Sequence, residues 1–129
     1  MSILTQQQRD VLASDSDGLM TYEFIANNIE DIDDDDIDFL TLNIIEVDHS
    51  GQFTASAARY LNAIDAERYR QMVRKLVAAT IDRDREHRYI ADLLPSIWGV
   101  DYASKAEELK QNDNNFRRIY KRLFPTSTI

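Results

Sequence analysis

One short phrase occurs twice, 33 residues apart: Asp15-Ser16-Asp17-Gly18-Leu19-Met20-Thr21, then Asp48-His49-Ser50-Gly51-Gln52-Phe53-Thr54. Each copy joins an acidic or hydroxyl cluster to a glycine, an apolar residue and a threonine able to open a helix. Together the copies use two of the three glycines in the chain. A sequence punctuated in this way is built from like units. What lies between the punctuation marks decides which units they are.

The intervening apolar residues recur at helical spacing. Thr5 and Gln8 form a capping-box pattern that opens a helix over about 6–13. Thr21 is the expected cap of a second helix, on which Phe24, Ile25, Ile29 and Ile32 share a face. The aspartate-rich segment Asp31 to Asp38 suits a loop leading into a helix N-terminus, where negative charge meets the positive end of the dipole. Ile37, Leu40, Ile44 and Ile45 then form one stripe. The alternation of Ile37 and Phe39 leaves a strand open there, but no other segment would pair with it. Thr54 is the expected cap of a fourth helix bearing Ala57, Leu61 and Ile64. Asp65 is the expected cap of a fifth, striped by Tyr69, Met72, Val73, Leu76, Val77 and Thr80. Tyr89, Ile90, Leu93, Leu94, Ile97 and Trp98 mark a sixth, with Pro95 expected to kink or restart it and Gly99 to stop it. Ser104 with Glu107 reads as a capping box for a short seventh. Asp113 reads as the cap of an eighth with Phe116, Ile119, Tyr120, Leu123 and Phe124 inward and Arg117, Arg118, Lys121 and Arg122 outward. The expectation is an all-α single domain over 1–129, a compact bundle of seven to eight short helices with short connections.

The chain is long enough to bury a core without covalent staples. It has no cysteine, which removes disulfides, thiolate metal sites and a cysteine nucleophile from consideration. The start Met1-Ser2-Ile3-Leu4-Thr5 has no basic segment or apolar run of the secretory kind, and no apolar stretch approaches a membrane span. The expectation is a soluble cytoplasmic protein. The net charge of −8 conceals a division. Residues 1–58 carry 13 carboxylates and one basic residue, Arg9, whereas residues 59–129 carry 14 Lys/Arg and 10 carboxylates. The acidic balance argues against duplex nucleic acid as the main ligand. It suits a protein partner with a basic face, or a homodimer that sets acidic against basic faces.

The Asp17-Gly18-Leu19-Met20-Thr21-Tyr22-Glu23 phrase resembles the TerB-like helical family, named for a tellurite-resistance protein. Its members carry an Asp-Gly turn, an apolar residue, a Thr or Ser cap and a Glu in the first helical turn. Leu76-Val77-Ala78-Ala79-Thr80-Ile81-Asp82, continuing through Glu86 to Leu94 and Gly99-Val100, is similar to a later part of that family. The resemblance implies an all-α fold, no catalysis, and a divalent-cation site built from acidic turns. The second turn departs from the pattern, with Ser50 in place of the aspartate and Ser56 or Ala57 in place of the glutamate. Asp82 and Glu86 remain to supply oxygens near a third turn.

The candidate metal ligands for Ca²⁺ or Mg²⁺ are therefore Asp15, Asp17 and Glu23 in one oxygen cluster and Glu46 and Asp48 in another. Neither turn is a regular EF-hand. The closing glutamate is missing from both, since Phe24 and Ala57 fall at the twelfth position. The aspartates Asp33, Asp34, Asp35, Asp36 and Asp38 are the candidate contacts to a basic partner. No nucleophile elbow, zinc-binding helix, dinucleotide fingerprint or P-loop is present, and the expected function is non-catalytic. Two classes remain open: an accessory or scaffold module that binds a protein partner and a divalent cation, or an acidic inhibitor, immunity protein or nucleic-acid mimic.

Overall fold

Each apolar stripe centres on a helix in the structure, a computed structural model that describes residues 4–125, but Ile29 and Ile32 of the second stripe fall beyond the end of their helix at Asn28. In chain order the elements are α1 (Gln6–Ala13), α2 (Leu19–Asn28), α3 (Asp34–Val47), α4 (Gln52–Asp65), α5 (Arg70–Arg83) and α6 (Ile90–Trp98). A 3₁₀ turn (Tyr102–Lys105), α7 (Ala106–Asn112) and α8 (Asn114–Leu123) complete them. Among the described residues there is no strand, and no helix is long and apolar enough to cross a membrane.

Several helix ends follow from local side-chain chemistry. The Thr5/Gln8 box forms in both directions, with Gln8 N–H donating to Thr5 Oγ1 (3.1 Å) and Thr5 N–H to Gln8 Oε1 (2.9 Å). Asp33 caps α3 by accepting from Asp36 N–H (2.8 Å), which places Asp34, Asp35 and Asp36 in the first turn, where the dipole favours them. Asp113 caps α8 through Phe116 N–H (3.1 Å). Four expected starts are displaced. α4 runs through to Asp65, whose carboxylate accepts from Arg68 N–H in the following turn, so α5 opens at Arg70. Ser104 donates to the Asp101 carbonyl within the 3₁₀ turn, and α7 opens at Ala106. α2 and α4 open two or three residues before Thr21 and Thr54, for the reason given below. Pro95 lies within α6 without dividing it. The carbonyl it leaves unpaired, on Ala91, sits on an exposed stretch where water can serve it.

The core is one contiguous cluster. Ile25, Leu40, Ile44, Leu61, Leu76, Ile81, Ile90, Leu93, Phe116 and Ile119 are fully buried, each worth about 1.5–3 kcal/mol relative to exposure. α4 lies along α5, with α6 and α8 behind them. Buried Ala55, Ala57 and Ala58 supply small side chains along α4 at this packing face. At the C-terminal end Trp98 meets Phe116 edge-on (5.3 Å between centroids), and Phe116 stacks on Tyr120 (5.5 Å). Two residues expected on inward stripes are instead about half exposed, Ile64 and Phe124.

Candidate functional site

The two repeated phrases fold into two copies of one bend, in which an aspartate caps the helix that follows it. Asp15 is buried between α1 and α2. Its Oδ1 accepts from Asp17 N–H (3.3 Å) and Gly18 N–H (3.0 Å), and its Oδ2 from Thr21 N–H (2.8 Å) and Thr21 Oγ1–H (2.7 Å). Asp48, buried between α3 and α4, repeats this. Oδ1 accepts from Ser50 N–H, Ser50 Oγ–H and Gly51 N–H (3.0–3.2 Å), and Oδ2 from Phe53 N–H (2.9 Å) and Thr54 N–H (2.8 Å). Neither threonine is therefore the cap. Each gives its amide to an aspartate six residues earlier, and each helix begins at the residue after the glycine. Gly18 (φ 106°) and Gly51 (φ 90°) hold the left-handed backbone that the bend requires.

A third bend joins α5 to α6. Asp84 is buried and accepts from Arg88 N–H (2.8 Å), Tyr89 N–H (2.6 Å) and Ile90 N–H (2.9 Å). His87 occupies the place of Gly18 and Gly51 and shares their positive φ (57°). Sequence reasoning placed acidic ligands near this turn at Asp82 and Glu86 but missed Asp84. The signal was weak because His87 replaces the glycine and Ile90 the threonine. The interval of 36 residues from Asp48 was the only trace.

The three bends lie in a row. A Cβ built on Gly18 would meet Asp48 Cβ at 3.2 Å and Phe53 Cβ at 3.1 Å, and one on Gly51 would meet Asp84 Cβ at 3.2 Å. Each glycine is thus seated on the capping aspartate of the next bend. Hydroxyl links run alongside: Asn43 donates to Thr21 Oγ1 (3.0 Å) and to the Leu12 carbonyl (2.8 Å), and Thr54 and Thr80 share a hydrogen bond at 2.8 Å. Arg83 adds a further tie, donating to the Asp48 carbonyl (2.8 Å). Burial by itself would raise the Asp15 carboxyl. The hydroxyl and amide of Thr21, with the amides of Gly18 and Asp17, outweigh it and hold the group below the ordinary carboxylate value.

These bonds bear on the expected cation ligands. A carboxylate offers about four lone-pair directions; Asp15 has four donors on it and Asp48 five. Asp17 accepts from Leu19 N–H (3.0 Å), while Glu23 and Glu46 are exposed on α2 and α3. Among the described residues, no group of three or more His, Asp or Glu side chains is placed to share a metal ion. The aspartate run is divided in the same way. Asp33 is a cap, Asp36 is fully buried with Arg9 at 3.4 Å, and Asp34 meets Arg68 at 3.0 Å. Asp35 and Asp38 face solvent. Two basic residues of α8 reach the end of α5, where Arg118 pairs with Asp82 (2.6 Å) and Arg122 donates to the Ile81 carbonyl, while Arg117 turns to Asn114 and the Lys110 carbonyl.

An apolar recess lies in the acidic half, a groove of about 270 Å³ between α1 and α2 lined by Gln7, Gln8, Val11, Leu12, Met20 and Phe24. Val11 and Met20 are nearly half exposed, as is adjoining Leu19. Exposed Asp10, Asp17 and Glu23 belong to the same two helices and the bend between them. Periodicity could not reveal this groove, because Val11 and Met20 read individually as ordinary members of a helix. Comparison of the chain with family models, with curated proteins and with solved structures finds no match.

Proposed function

We propose that this protein is a non-catalytic interaction module, of the accessory or inhibitor type, that receives a basic amphipathic segment of a protein partner on its acidic half. The observation that carries this reading is the α1–α2 groove. It is an apolar recess with Val11, Leu19 and Met20 exposed, set in the part of the chain that holds 13 carboxylates against one arginine. A helix that lays an apolar face into such a groove and turns lysines or arginines toward Asp10, Asp17 and Glu23 satisfies both chemistries. The three deeply buried bend carboxylates point the same way. All three are engaged by backbone amides, and Asp15 braces the groove's two helices, which leaves recognition to the surface. The TerB-like resemblance implies no catalysis, which agrees with this reading. A cation at the bends would have to displace amide donors from Asp15 or Asp48, and the proposal does without one.

The test is a titration with a defined Leu/Lys amphipathic peptide, beside its Leu/Glu counterpart and a scrambled Leu/Lys sequence. The expected result is saturable binding of the basic amphipathic peptide alone, weakening as salt screens the attraction, and lost in Met20→Asp. Equal binding of the scrambled peptide, or full binding by Met20→Asp, would sink the proposal.

A further inference from the structure

A second recess lies in the basic-leaning part of the chain, and its chemistry differs. It is a cleft of about 220 Å³ where one face of α5 meets the end of α6 and the start of α8. Val73, Val77, Ile97 and Trp98 supply its apolar lining, and Trp98 is the only tryptophan of the chain. Arg70 and Arg74 project from the same face of α5, one turn apart, and also line the cleft. Other arginines of the molecule are engaged: Arg9 with Asp36, Arg68 with Asp34, Arg88 with Glu86 and Arg118 with Asp82. The guanidiniums of Arg70 and Arg74 make no ion pair or hydrogen bond among the described residues. The one carboxylate in the lining, Asp113, is held by Trp98 Nε1–H (2.8 Å) on one oxygen and Phe116 N–H (3.1 Å) on the other. It orients the indole and makes no ion pair with either arginine among the described residues.

We infer that this cleft binds a small aromatic carboxylate, with the ring against the partly exposed Trp98 and Ile97 and the carboxylate on Arg70 and Arg74. Three features select this class. Two guanidiniums without partners ask for a planar anion that accepts from their forked N–H groups. The apolar lining and the indole ask for an unsaturated ring rather than a bare inorganic anion. The volume of about 220 Å³ suits a ring with a short side chain.

The reporter is built into the site. Titration of the full chain with 3-phenylpropionate is expected to give a saturable change in Trp98 fluorescence and in its indole N–H resonance, with Kd on the order of 1 mM or tighter for a ligand of this size. Arg74→Gln and Arg70→Gln alter exposed side chains that hold nothing in place, so both variants should fold, as circular dichroism will show. Each is expected to bind about tenfold more weakly, and the neutral amide 3-phenylpropionamide is expected to bind the parent at least tenfold more weakly. No saturable change in either Trp98 signal would overturn the inference, as would equal binding of acid and amide or undiminished binding by both variants. None of these outcomes touches the α1–α2 groove, so the two proposals stand or fall separately.

Discussion

At the scale of single residues, the chain uses carboxylates as internal fasteners more than as ligands. Asp15 is the clearest case, with four donors on two oxygens and a depressed pKa. Because its folded pKa lies below its unfolded one, the unfolded chain takes up the proton first as pH falls. The stabilisation is complete well above the ordinary value of 3.8 and disappears as pH drops through the folded value. Asp15→Asn is therefore expected to be less stable than the parent at neutral pH and to show a shallower loss of stability below about pH 4, measured by urea unfolding across a pH series. Thr41 is the opposite case, a buried hydroxyl on α3 with no hydrogen-bond partner among the described residues. Thr41→Val keeps the shape and removes the stranded group, so it should stabilise by about 1 kcal/mol in the same assay. The duplicated phrase exposed Asp15 and Asp48 in the sequence but not their role. A threonine that follows a glycine looks like a cap, and only the fold shows that its amide reaches back six residues.

At the scale of elements, the helices were largely legible and their beginnings less so. Stripes such as Leu76 with Val77 and Phe116 with Ile119 report burial directly, because a helix keeps one face toward the core. Starts depend on which side chain reaches which amide, and Asp65 and Ser104 offered oxygens that the backbone used elsewhere. The recesses were not legible at all, since each is made by residues from two or more helices. The bends carry their own test. Gly51→Ala combines a left-handed backbone with a Cβ at 3.2–3.3 Å from Asp84 and Thr80, and should destabilise by about 2 kcal/mol or more. His87→Gly should stabilise by roughly 0.5 kcal/mol, because relief of the left-handed strain exceeds the added freedom of the unfolded chain. A stability series in urea covers both, and a neutral Gly51→Ala would disprove the seating of that glycine on the third bend.

At the scale of the whole molecule, the row of bends ties the acidic half to the basic half. Gly18 rests on the second bend, Gly51 on the third, and the third starts α6, which ends in Trp98. Loosening the first bend should therefore be felt across the domain. In Asp15→Asn the urea midpoint followed by Trp98 fluorescence is expected to move as far as the midpoint followed by far-ultraviolet circular dichroism, with the two curves superimposed. Separated midpoints would mean that the halves unfold as independent units. The division of charge sits on this one body, and the groove in its acidic part shares no lining residue with the arginine-lined cleft, so each surface can be altered without changing a residue of its counterpart.

The imidazole at position 87 also sets a limit on growth. Were a further helical pair grafted after α6 in the manner of its predecessors, its own buried aspartate would need the space that a bare α-carbon leaves at Gly18 and Gly51 and that His87 fills. The series is thereby closed at three, and lengthening it would first require glycine at that position.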